Sequence, residues 1–158
     1  MTRISYLDVS SDEEETSQSI RIFVIGQPCT GKTSFIKRIV NNEFSLYYTQ
    51  TKSVEIYDYI KIGDKYIQFV DININNIKHA PTLMAPTKND AIVLMITNRE
   101  NLHTWWKELF VLFACNVWIA STKPISCPDY IPVERFFIID NMSKNNIYEL
   151  LYDIISLV

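Results

Sequence analysis

The stretch GQPCTGKT at residues 26–33 decides the fold of this chain. It is a complete G-x-x-x-x-G-K-[ST] motif, in which a glycine-rich loop and a helix start surround a phosphate with backbone N–H groups. The apolar run at 20–25 predicts a buried strand before the loop, and residues 33–40 carry apolar side chains at helical spacing after it. Because both flanks fit, we expect a nucleotide-phosphate site rather than a structural turn that has lost its ligand.

The motif also assigns individual roles. Lys32 would reach the outer phosphates, and the Thr33 hydroxyl would ligate Mg²⁺. Asp71 ends a predicted strand downstream, where such nucleotidases place a Mg²⁺-holding Asp; the alternative is an Asp that caps a turn. The predicted phosphate-binding residues are Gly26, Pro28, Cys29, Thr30, Gly31, Lys32, Thr33 and Ser34.

Composition limits the classes of function. The chain has 158 residues, enough for one domain, and its net charge of −3 gives no support to nucleic-acid binding. Three irregularly spaced cysteines indicate a reducing compartment, with neither a disulfide framework nor a zinc site. No secretory signal, membrane span or lipid anchor is evident. We therefore expect a cytoplasmic protein, located in the host cytoplasm if its source is a virus or parasite.

The hydrophobic pattern predicts a disordered acidic tail at 1–19 and one domain at 20–158. Strands are predicted at 54–62, 65–70, 91–96, 117–120 and 136–139, and helices at 100–113 and 145–155. We expect residues 72–90 to be loop or broken helix, and three prolines within 123–134 leave no room for a helix. Strands that alternate with helices indicate a three-layer α/β domain with a mostly parallel sheet.

Three further segments carry a family resemblance. Residues 44–51 look like a first switch ending in Thr51, Val70-Asp71 looks like the start of a D-x-x-G element, and residues 97–100 read TNRE before Trp105 or Trp106. From Ile20 onward the chain resembles the Ras-like small GTPases, and the Rab branch most closely. The resemblance implies a P-loop NTPase fold with a six-stranded sheet that includes one antiparallel hairpin strand. It also implies GTP or GDP with Mg²⁺ as cofactors, and Thr51 as a third metal ligand beside Thr33 and Asp71.

Departures from the family pattern concern hydrolysis first. The D-x-x-G element reads Asp71-Ile72-Asn73-Ile74, so Ile74 stands where the family's glycine gives a backbone N–H to the terminal phosphate. Asn75 stands where a glutamine orients the attacking water, and Asn carries the same amide on a shorter arm. Asn75 is therefore a candidate catalytic residue. Because of these two departures, we expect hydrolysis to be weak or absent.

The base-reading elements also depart from the pattern. The N-K-x-D element aligns with Thr122-Lys123-Pro124-Ile125, so only Thr122 and Lys123 remain as candidate base contacts, and Ile125 cannot accept hydrogen bonds from guanine. The S-A-K element aligns with residues 140–142 and is lost. Asp140 and Asp129 remain open as substitute acceptors. Within the loop, Pro28 lacks an N–H, and Cys29 is either a small filler or a redox-sensitive thiol.

The short segment between 120 and 136 predicts that the family's fourth helix is missing, which would uncover one flank of the sheet and favour self-association. The first-switch region and the edge strand, with Tyr47, Tyr48, Tyr57 and Tyr59, are the predicted protein-partner surface. Two functions remain open: a divergent GTP-binding protein with weak turnover, and a pseudo-GTPase interaction module that does not switch. A small-molecule P-loop kinase is a third and weaker alternative.

Overall fold

The computed structural model describes residues 19–42, 54–75, 87–112 and 116–158. The predicted tail, the first-switch segment with Thr51, Tyr47 and Tyr48, and most of the predicted loop before Asp90 lie outside these ranges. The strands are β1 (Ser19–Gly26), β2 (Glu55–Ile56), β3 (Ile60–Ile62), β4 (Lys65–Asn73), β5 (Ala91–Ile96), β6 (Asn116–Ser121) and β7 (Phe136–Ile138). The described α-helices are α1 (Lys32–Val40), α2 (Leu102–Leu112) and α3 (Ile147–Leu157).

One sheet organises the domain, in the order β2-β4-β1-β5-β6-β7, with β3 also paired to β4. Strands β4, β1, β5, β6 and β7 run parallel, whereas β2 and β3 are antiparallel to β4. This confirms the predicted α/β fold with a mostly parallel sheet and an antiparallel edge. Over the described residues the sheet has seven strands rather than the predicted six, because the antiparallel edge consists of two short strands, β2 and β3. No helix in the described ranges is long and apolar enough to cross a membrane.

Two apolar clusters form the core, one on each face of the sheet. Helices α1 and α3 cover one face, where Phe35, Leu150 and Trp118 are fully buried. Helix α2 covers the other face through Leu102 and Leu109. Because both faces are covered, the central strands are apolar on both sides, as the continuous apolar run of β5 predicted.

The antiparallel edge differs from the single alternating strand that the sequence predicted at 54–62. Ile56 pairs with Val70, but Ile60 pairs with Ile67, so the edge has one more residue than β4 over this stretch. An extra residue of this kind is a β-bulge, and it changes which face the following side chains meet. Ile60 therefore packs on the face of α1 and α3, whereas Val54 packs on the face of α2.

Strand β4 is longer than predicted. It continues to Asn73 because it stays paired with β1 as far as Gly26, so Ile72 and Asn73 are strand rather than loop. Asp71 consequently lies inside the strand and is fully buried, instead of ending it. Residues two apart on a strand share a face, so Asp71 and Asn73 lie on the same face as Phe69, which packs against α1.

The connection from β6 to β7 contains no α-helix; its regular structure is a 3-10 turn at Val133–Arg135. All of its residues lie in the described part of the chain, so the predicted loss of the fourth helix is confirmed. The prediction that the missing helix leaves one flank of the sheet uncovered is wrong for the α2 face of β6, however. Ile131 is buried in the α2 cluster and Ile125 packs against the same cluster, so an extended segment supplies the cover.

Candidate functional site

The phosphate loop connects β1 to α1, as the motif requires. Its first glycine, Gly26, lies so close to β5 that an added Cβ would be 2.6 Å from the Met95 carbonyl oxygen. Its second glycine, Gly31, has a φ of 89°, in the left-handed region that favours glycine. Both motif glycines are therefore required by the backbone path, which turns sharply into the first turn of α1.

Two residues inside the loop are unusual. Cys29 is exposed and has a φ of 68°. This left-handed conformation is energetically unfavourable for any residue other than glycine. Pro28 lacks an N–H, so the loop offers one donor fewer to an anion. Thr30 is buried, and its hydroxyl donates to the Gln27 carbonyl oxygen at 2.8 Å, which closes the loop from inside.

The loop lysine is held inside the site. Lys32 is 5% exposed, and its Nζ donates to the Gln27 carbonyl oxygen at 3.3 Å. Burial lowers the pKa of Lys32 and the nearby Asp71 carboxylate opposes that shift. A buried ammonium favours a negative partner, so a phosphate group fits this position electrostatically.

The predicted metal ligands meet directly. The Thr33 Oγ1 donates to Asp71 Oδ2 at 2.5 Å, although the two residues are 38 positions apart in the chain. Mg²⁺ selects oxygen ligands and usually takes one or two from the protein, with phosphate and water oxygens completing its octahedron. The pair therefore fits Mg²⁺, whereas Thr51, the third predicted ligand, lies outside the described residues.

On the base side, the loops after β6 and β7 contact the phosphate loop. The Thr122 hydroxyl donates to the Thr30 carbonyl oxygen at 3.4 Å. Lys123 is exposed, and its N–H donates to the Ser121 hydroxyl, which fixes the turn. Ile125 packs into the apolar cluster of α2, so the position aligned with the guanine-reading Asp belongs to the core.

Asn141 contacts the phosphate loop, which the sequence did not predict. Its Nδ2 donates to the Gly31 carbonyl oxygen at 3.2 Å, and its Oδ1 is enclosed without a hydrogen-bond partner in the described ranges. The Arg38 guanidinium donates to the Met142 carbonyl oxygen, which holds the same loop to α1. The only signal in the sequence was an amide side chain where the family has a small residue.

The two substitute base acceptors do not gain direct support. Asp140 Oδ1 accepts the Met142 N–H at 3.0 Å, and hydrogen bonds from Ser143 and Met142 lower the pKa of this carboxyl. It therefore stabilises its own turn. Asp129 is exposed in the turn that follows Cys127. Its role as a base acceptor stays a prediction.

The candidate hydrolytic residue Asn75 lies just past β4 and is exposed. Its backbone N–H donates to Asn73 Oδ1 at 2.9 Å. Ile74, which replaces the switch glycine, is 4% exposed and packs in the α2 cluster. The structure therefore holds this turn by a side-chain amide and an apolar anchor.

Comparison with known proteins agrees with this site. The family model described as "Ras of Complex, Roc, domain of DAPkinase" matches residues 21–119, more than half of the chain. The chain belongs to the Roc family. The match includes the phosphate loop and Asp71 but ends before Thr122 and Asn141 of the base-side loops, so those loops lie outside the family match.

A solved structure shares the fold of this Roc-family chain. It is Methanosarcina barkeri Roco2 RocCORdC bound to GDP, with a TM-score of 0.67 and 20% sequence identity. The alignment covers 94% of this chain and 53% of that one, so this chain spans about half the length of the solved chain. No curated protein sequence matched. The Ras-like resemblance is thus confirmed, whereas the Rab branch gains no support from the Roc match.

Proposed function

We propose that this chain is a Ras-like domain that binds GTP or GDP with Mg²⁺ through residues 26–34 and hydrolyses GTP weakly or not at all. The observation that carries the proposal is the direct contact of Thr33 with Asp71 beside the buried Lys32. The predicted phosphate and metal ligands thus lie close together, on a Roc-family fold. The family match supports GTP binding, and the Mg²⁺ site is inferred from these oxygen ligands.

Weak hydrolysis is inferred from the turn after β4. Ile74 is anchored in the core, so it cannot serve as a freely moving switch glycine. Asn75 would have to orient water with an amide on a shorter arm than glutamine. The TNRE run at 97–100, which precedes α2, resembles the start of the third helix in Rab proteins. This run is the feature that keeps the Rab branch within the proposal.

Relaxed reading of the base is the second part. Ile125 is committed to the α2 cluster and offers no acceptor to guanine. A site that loses a buried polar match loses much of its discrimination between bases. We therefore expect the affinities for ATP and GTP to be similar, because the phosphates supply most of the recognition.

A second candidate function is a pseudo-GTPase that binds partners without switching. The anchored Ile74 and the helix-free segment at 122–132 favour it, since both are departures that would uncouple the fold from nucleotide state. Tyr59 and Ile56 are exposed on the antiparallel edge, which is the proposed partner surface. Self-association is proposed as a second property of this module.

Isothermal titration of the purified chain with GTP, GDP and ATP, each with and without Mg²⁺, tests the proposal. We expect binding that Mg²⁺ strengthens, and a loss of at least about a hundredfold in Lys32→Ala, because the variant removes the only buried cation beside the phosphate path in the described ranges. Lys37→Ala, at an exposed position of the same helix, is the matched control and should bind as the wild type does.

Each outcome has a clear meaning. No binding of any nucleotide by the wild type would leave the non-switching module as the better function. Unchanged affinity in Lys32→Ala would show that residues 26–33 are not the site. A strong preference for GTP over ATP would contradict the relaxed reading of the base, and would direct attention to Asp140 or Asp129.

A further inference from the structure

Asn73 occupies a special place beside the phosphate loop. It is the last residue of β4 and lies directly opposite Gly26, the first residue of the loop, on the neighbouring strand. It follows Asp71 by two positions, so both side chains lie on the face of α1, about 7 Å apart along the strand. Asn73 is therefore positioned past the proposed Mg²⁺ ligand, at the end of the sheet where the loop begins.

The contacts of Asn73 fix the direction of its amide. Its Oδ1 accepts the N–H of Asn75 at 2.9 Å, which identifies the other amide atom as the nitrogen. Asn73 is 7% exposed, and within the described ranges its Nδ2 makes no hydrogen bond. With Oδ1 engaged by Asn75, the nitrogen is the atom of this side chain that is left to bind a ligand.

The neighbouring residue explains why a side-chain donor is useful here. Ile74 is turned into the α2 cluster on the opposite face of the sheet, and it stands where the resemblance expects a glycine that gives its N–H to the terminal phosphate. Hydrogen bonds between an N–H donor and a charged phosphate oxygen are among the stronger ones in proteins. An amide held in place by its own turn is a ready replacement for the mobile glycine.

We propose that the Asn73 side-chain amide donates a hydrogen bond to the terminal phosphate of the bound nucleoside triphosphate. This rests on the proposed function, since it requires the phosphate chain to lie along residues 26–34. It makes Asn73 a determinant of triphosphate over diphosphate binding. The diphosphate, which lacks the terminal group, gains nothing from this amide.

The test is the ratio of GTP to GDP affinity, measured by isothermal titration with Mg²⁺. Asn73→Asp keeps the oxygen that accepts the Asn75 N–H but replaces the donor with a negative oxygen that repels phosphate. We expect the ratio to fall at least about tenfold, with GDP affinity little changed, because only the triphosphate loses a charge-assisted hydrogen bond.

A second variant separates this role from metal attraction or a merely structural role. Asn73→Ala removes the donor and adds no charge, so the ratio of GTP to GDP affinity should again fall about tenfold. Any effect of the altered turn on both affinities cancels in this ratio. An unchanged ratio in either variant, or an equal loss for GTP and GDP, would overturn the proposal while leaving the proposed function intact. No nucleotide binding by the wild type would overturn both.

Discussion

At the scale of single residues, Cys29 shows how far this loop departs from an unstrained one. Cys29 is exposed, and its backbone φ is 68°, a value that is favourable for glycine and unfavourable for other residues. The Thr30 hydroxyl, which donates to the Gln27 carbonyl oxygen, closes the loop across Cys29 and holds this conformation. The strain is local and therefore measurable.

We predict that Cys29→Gly stabilises the fold by about 0.5–1 kcal/mol, because relief of the left-handed conformation outweighs the extra freedom of glycine in the unfolded chain. Urea unfolding followed by circular dichroism measures the change. Cys29→Ala keeps the Cβ and is the matched control, with no gain expected. Equal stability of the two variants would show that the loop carries no backbone strain at this residue.

The site could be predicted from sequence only where the chemistry is local. The motif at 26–33 specified Lys32 and Thr33, and the apolar run before Asp71 brought that residue to the same end of the sheet. Asn73 and Asn141 were missed because their roles depend on contacts across β1 and α1 that no local pattern encodes. Both amides replace features that the family builds from small residues.

At the scale of elements, the bulge in the antiparallel edge divides it into residues that pack in the core and residues that are exposed. Ile60 and Ile62 reach the cluster under α1 and α3, and Tyr57 packs there as well. Asp58 and Tyr59, by contrast, are exposed. A regular alternation was expected from the sequence, and it failed here because a single extra residue cannot be recognised without knowing the partner strand. Bulges also make exposed edges less available for unwanted pairing.

Deleting residues in this edge tests which one is extra. Removal of Asp58 restores one-to-one pairing with β4 and keeps every apolar side chain on its face, so we predict a stability change within about 1 kcal/mol. Removal of Tyr57 shortens the chain equally but places Asp58 against the apolar cluster. It should therefore cost about 2 kcal/mol more. Thermal and urea unfolding of both deletions compare them, and equal losses would contradict the assignment of Asp58 as the extra residue.

At the scale of the whole molecule, an extended segment replaces a helical layer. Prolines at 124, 128 and 132 ruled out a helix from sequence alone, and the structure agrees. What the sequence could not show is that Ile131 and Ile125 would fill the space beside α2. The pattern there has no period, so the apolar residues gave no indication of which would be buried.

Ile131 should accordingly behave as a core residue, although it lies in a loop. We predict that Ile131→Ala destabilises the domain by about 2–4 kcal/mol, the range typical of a buried aliphatic truncation. Val133→Ala is the matched control, because Val133 is 74% exposed and its truncation should change stability by less than about 0.5 kcal/mol. Chemical denaturation measures both, and similar small effects would mean that the segment is not part of the core.

The hydrogen bonds that hold the phosphate loop from the base side also have a kinetic consequence. Thr122 and Asn141 reach residues 92 and 110 positions earlier in the chain, and Arg38 reaches Met142 across 104. Contacts between such distant segments form slowly, because the long intervening chain must first be ordered. We therefore expect the loop to acquire its final shape late in folding, once β6 and β7 have joined the sheet, so that a newly made chain becomes able to hold a ligand only when its last third is in place.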